Sequence, residues 1–113
     1  MNSTLSSGVL GEVLNELKDR GVPVRVECDG SLNVDGIYMG CSVLIREREE
    51  GKVEVVTSKG KVSELKSFQD LVDLNYRWFK DSSKDDYPDT LWLEILFDYG
   101  YVKKEITTVV VYK

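Results

Sequence analysis

Histidine is absent from this sequence of 113 residues. The chain therefore lacks the commonest general base, the usual partner of a serine or cysteine nucleophile and the commonest transition-metal ligand. Most hydrolase and zinc-enzyme templates are excluded. Cysteine is nearly absent as well: Cys28 and Cys41 stand thirteen positions apart, without the CxxC pair of a zinc knuckle or a thioredoxin-type redox motif. They are expected as two buried, reduced thiols, the usual fate of free cysteine. The nine glycines sit singly, so no phosphate-cradling motif is present. Neither a cofactor nor a metal is expected.

Long hydrophobic runs are also missing. No apolar stretch approaches the roughly 20 residues that span a bilayer, and residues 1–8 hold neither the basic nor the apolar region of a secretory signal. A cytoplasmic protein without membrane contact is expected. Hydrophobic residues make up 42% and charged residues 31%, the composition of an ordinary globular chain, and residues 1–113 read as a single domain. Twenty acidic against 15 basic residues give a net charge of -5, which opposes nonspecific attraction to phosphate backbones and anionic lipid.

What is present reads as an α+β chain. Val9, Leu10, Val13, Leu14 and Leu17 recur at helical spacing and predict a helix over residues 7–20, closed by Gly21 and Pro23. Val22, Val24, Val26 and Cys28 alternate with polar residues and predict a half-buried strand. Asp29-Gly30 and Asp35-Gly36 are both hairpin-turn signals, and the sequence does not choose between them. Ile37, Met39, Cys41, Val43 and Ile45 form a second alternating face; strands near residues 53–58 and 62–65 follow. Ser67 is a helix cap, with Asp70 in the place of the usual Glu or Gln, and it opens a helix that presents Phe68, Leu71, Val72, Trp78 and Phe79 to a core and runs to about Lys80. A polar loop leads to a third helix over residues 88–99, and residues 101–113 have the β-branched content of a long final strand. The expected architecture is an antiparallel β-meander of four to six strands, with the N-terminal helix and the C-terminal helix pair packed on one face.

Two local patterns can be weighed by their chemistry. Ser31 to Gly36 nearly reproduces the start of an EF-hand loop, but Ser31 stands where an Asp is needed and Ser42 where a bidentate Glu closes the shell. Turn chemistry accounts for it. The element order of the last 45 or so residues resembles a winged-helix domain, which would bind duplex DNA with Lys103, Lys104 and Lys113. Its recognition helix, however, would hold no Arg, Lys, Asn or Gln to reach base edges.

The acidic surplus is local. From residue 81 to residue 98 the acids are Asp81, Asp85, Asp86, Asp89, Glu94 and Asp98 against Lys84 alone, so this segment carries -5 and the remainder balances 14 against 14. Tyr87 and Trp92 lie among these acids, and the third helix is apolar around about two-thirds of its circumference. Asp81, Asp85, Asp86, Tyr87, Asp89, Trp92, Leu93, Glu94, Phe97 and Asp98 are the candidate partner-binding residues. The expected function is non-catalytic: a small acidic inhibitor that occludes a basic surface of a partner protein, such as the nucleic-acid groove of a nucleic-acid-binding protein. Small size and acidity of this kind are typical of phage-encoded host-takeover or anti-defence proteins, which act in the host cytoplasm, and of toxin-immunity proteins. A homodimer joined through Leu93 and Phe97, or through the C-terminal strand, is a further expectation.

Overall fold

The fold was analysed in a computed structural model that describes residues 8–38, 41–48, 51–81, 88–106 and 110–112. Helix α1 (Gly8–Asp19) precedes five strands, β1 (Val24–Val26), β2 (Leu32–Tyr38), β3 (Cys41–Glu47), β4 (Val53–Val56) and β5 (Val62–Leu65). Helices α2 (Phe68–Asp81) and α3 (Thr90–Asp98) follow, then the short strands β6 (Lys104–Ile106) and β7 (Val110–Tyr112). The first five strands make one antiparallel meander in the order β1-β2-β3-β4-β5. Short connections between sequential strands require this topology.

Three of the hairpins close in the same way. Glu27 and Ser31, Arg48 and Lys52, and Thr57 and Lys61 are joined by a backbone bond, and Gly30, Gly51 and Gly60, one residue before the end of each loop, take positive φ. Such loops need a left-handed residue at that point, which glycine supplies without steric cost. Asp29-Gly30 is thus the turn between β1 and β2. Asp35-Gly36 lies inside β2 instead, where the register with β3 shifts between Val34 and Tyr38. It is a bulge rather than a turn.

The side chains alternate across the sheet. Leu32, Val34, Val43, Ile45, Val53, Val55 and Leu65 face the helices and are buried with Val13 and Leu17 of α1 and Phe68, Leu71 and Val72 of α2. Ser67 caps α2 as its sequence predicts, accepting a bond from the Asp70 amide (3.2 Å) while the Asp70 carboxylate accepts one from the Lys66 amide (2.8 Å). Glu12 of α1 also accepts a bond from the Phe68 amide (2.7 Å), so one helix supplies an anion to the start of the next. The Arg20 guanidinium lies over the rings of Phe68 (5.5 Å) and Tyr99 (5.2 Å), tying the end of α1 to both later helices.

Three expectations are corrected. Cys28 and Cys41 are exposed, because Cys28 falls in the β1–β2 turn and Cys41 pairs with Tyr38 beside the next one. The alternation from Val22 ends early: Val22 is buried and Val24 half-buried, but Val26 is 51% exposed, since β1 is a short edge strand that outruns the helix cover. The C-terminal residues form no single long strand. β6 and β7 pair with each other in a separate two-stranded sheet, which satisfies backbone groups that a lone strand would leave open. Residues 107–109 lie outside the described residues.

Candidate surface sites

The bulge in β2 is where the helix pair meets the sheet. The Asp89 amide donates to the Gly36 carbonyl (2.8 Å), and the fully buried Asn75 of α2 donates its Nδ2 to the Ile37 carbonyl (2.9 Å). The Trp92 indole reaches toward the Asp35 carbonyl at 3.4 Å. Gly36 has φ +78°, and a Cβ there would lie 2.1 Å from Asp89 Oδ2. Only glycine admits both the conformation and the neighbour. Asn75 thus seats α2 on the sheet and Gly36 the start of α3, and neither carries a sequence signal beyond the Asp-Gly pair.

This seating decides which candidate residues reach the surface. Trp92 and Leu93 do not: they are 1% and 8% exposed, packed with Ile95 and Leu96 in the core. Their expected place on a surface is corrected, because residues 92, 93, 95 and 96 make one helical face and that face is covered. The outward side of α3 consists of Thr90, Glu94, Phe97 and Asp98, with Phe97 40% exposed. Asp89 and Asp81 are exposed as well, whereas Asp85, Asp86 and Tyr87 lie outside the described residues.

Glu94 is not free to meet a partner. Its carboxylate accepts bonds from Lys104 Nζ (2.9 Å to one oxygen, 2.8 Å to the other) and from the Tyr112 hydroxyl. These bonds dock the β6–β7 hairpin on α3. The Lys104 bond, and then the Tyr112 bond, hold the Glu94 carboxyl below its ordinary range, while the same carboxylate pushes the Tyr112 phenol up to about 12. Lys104 also sits 4.6 Å from the centre of the Phe97 ring. The lysine expected at a nucleic-acid phosphate is therefore engaged within the chain.

Among the described residues, no helix lies on the opposite face of the five-stranded sheet. In register across it run Arg25, Asn33, Leu44, Val56 and Val62, one residue from each strand. Beside that row, Glu54 accepts two bonds from Arg46 (2.8 and 3.0 Å) and lies 3.8 Å from Arg48. A groove of about 470 Å³ opens at the side, between α1 and the β1–β2 turn, lined by Leu10, Leu14, Val26 and Leu32 with Asp29 and Glu47 at its rim. The Asp29 carboxyl is held below its ordinary value by bonds from the Ser31 hydroxyl and amide, so Ser31, the first of the near-EF-hand residues, serves the β1–β2 turn, while Asn33, Asp35 and Gly36 lie in β2.

Among the described residues, no group of three or more His, Cys, Asp or Glu side chains is placed to hold a metal ion, and no helix is long and apolar enough to cross a membrane. Fold and surface together define an α+β protein built on a five-stranded meander with helices on one face. Comparison of the chain with protein-family models, with curated proteins and with solved structures finds no match.

Proposed function

We propose that this chain is a non-catalytic protein-binding module that acts as a small acidic inhibitor, covering a basic surface of a partner protein. One observation carries the reading: the outward side of α3 sets an exposed aromatic ring, Phe97, beside Asp98, with Asp89 exposed at the start of the same helix. These residues belong to the segment that holds the chain's whole net charge of -5. An exposed aromatic ring beside carboxylates that form no ion pair among the described residues suits contact with a basic surface, although Lys104 also lies over one part of the ring. A basic groove of a nucleic-acid-binding protein has the matching chemistry, and inhibition then follows from occupancy alone. A phage-encoded host-takeover or anti-defence protein acting in the host cytoplasm has this economy of means, and a toxin-immunity protein works in the same way.

The test begins with capture of the partner from the native host by the tagged chain and its identification by mass spectrometry. Calorimetric titration of the purified partner then compares the wild type with the triple variant Asp81→Lys, Asp89→Lys, Asp98→Lys. The variant is expected to bind at least about tenfold more weakly, and the wild-type affinity to fall with added salt. An unchanged affinity, at an unchanged urea midpoint, overturns the proposal.

A further inference from the structure

Strand β5 forms one edge of the main sheet, and no strand among the described residues pairs with its outer side. The Thr57 amide donates to the Lys61 carbonyl across the β4–β5 turn (2.9 Å), and the register pairs Val56 with Val62, Val55 with Ser63 and Glu54 with Glu64. Antiparallel ladders alternate, so Lys61 and Ser63 turn their backbone groups toward β4, while Val62 and Glu64 turn theirs away from it. No backbone bond to Val62 or Glu64 is found from outside the ladder among the described residues.

The side chains at this edge are unusual for one left to water. Val62 is 56% exposed and ends an apolar row formed with Leu44 and Val56 on the bare face. Lys59, Lys61 and Lys66 are exposed around it, and none forms an ion pair among the described residues. Glu64 is the single acid between residues 59 and 66, so this edge carries +2 in a chain of net charge -5. The other edge differs. β1 has three residues, follows Pro23, and its Arg25 is already bonded to Glu27 (2.9 Å).

We propose that the free edge of β5 is a strand-addition site for an extended, acidic segment of a partner protein. The added strand receives the amide hydrogens of Val62 and Glu64 and gives its own to their carbonyls. An apolar residue continues the Leu44–Val56–Val62 row, and flanking carboxylates meet Lys59, Lys61 and Lys66. Charge selects this occupant over a second copy of the chain, because pairing β5 with itself sets two edges of net charge +2 side by side. The site lies on a different element from α3 and does not depend on the function proposed for it.

Short acetylated peptides of alternating glutamate and valine, and of alternating lysine and valine, serve as probes of the full chain by amide-resolved NMR. The glutamate peptide is expected to slow hydrogen exchange at Val62 and Glu64 by about tenfold or more at saturation; the lysine peptide is not. Val62→Pro removes an outward amide while sparing the bonds to β4, and is expected to abolish the effect. Lys61→Glu, an exposed change, is expected to weaken glutamate-peptide binding by about tenfold and gives the same reading should the proline variant not fold. Equal response to both peptides, protection confined to other residues, undiminished binding by a folded variant, or a β5-dependent dimer of the free chain in light scattering overturns the proposal.

Discussion

Neighbouring residues on a single strand meet opposite fates on the two faces of the main sheet. Ile45 of β3 is fully buried against the helices, while Leu44, one residue earlier, lies half-buried on the face that no helix among the described residues covers. The alternation is a property of the backbone and costs the sequence nothing to arrange. What differs is the cover. The helix-covered face concentrates the apolar contacts that hold the chain folded, and the bare face, with its row from Arg25 to Val62, is free to serve contacts outside the chain.

The largest expected effect tests this contrast directly. Ile45→Ala should destabilise the chain by about 2–5 kcal/mol, the usual cost of emptying a closed core site, whereas Leu44→Ala should cost at most about 1 kcal/mol. Urea unfolding of the two variants checks it; equal losses would mean that the bare face carries core contacts too.

A smaller effect is expected where the covered face meets the helix pair. Gly36→Ala forces an L side chain into the left-handed region and against Asp89, at a cost of about 1–3 kcal/mol for the backbone alone. Adding Asp89→Gly removes the collision but not the backbone strain. The double variant should therefore recover part of the loss, and full recovery would show that φ +78° at this bulge costs little.

The smallest effect belongs to the hairpin outside the main sheet. Glu94 has its carboxyl pKa lowered in the folded chain by Lys104 and then Tyr112, so its contribution to docking is complete above the ordinary value of 4.5 and is lost as pH falls through the lowered one. Tyr112 has the opposite sign. Its phenol pKa rises from 10.0 to about 12, so its contribution is complete below pH 10.0 and is lost as pH climbs through about 12. Protection of the β6 and β7 amides, taken relative to the intrinsic exchange rate at each pH, should fall on acidification before that of the β3 amides does. Simultaneous loss of protection in both sheets would show that the hairpin is not separately docked.

Much of the fold was legible from local pattern. The 3.6-residue period from Val9 to Leu17 foretold α1, Ser67 with Asp70 foretold the start of α2, and the polar turns divided the meander. These signals are short-range, and short-range signals survive in sequence. The candidate site was less legible. Both Trp92 beside the acids and Leu93 on a nearly all-apolar helix pass for surface anchors in sequence, since periodicity says how many sides of a helix are apolar and not which are covered. The C-terminal hairpin was missed for a related reason: β-branched residues signal extended chain, not the partner it pairs with.

Composition by itself determined that no histidine chemistry operates here, and the order of residues determined that the net charge of -5 falls between residues 81 and 98. Order along the chain determined the meander, since strands joined by short turns can only pair as antiparallel neighbours. Only the tertiary structure decided that Glu94 is engaged by Lys104 and Tyr112, that Asn75 and Gly36 seat the helix pair, and that β5, with its exposed lysines, is an edge strand of the main sheet. Each of those depends on groups far apart in the chain meeting in one place, and a one-dimensional pattern contains no distance between them.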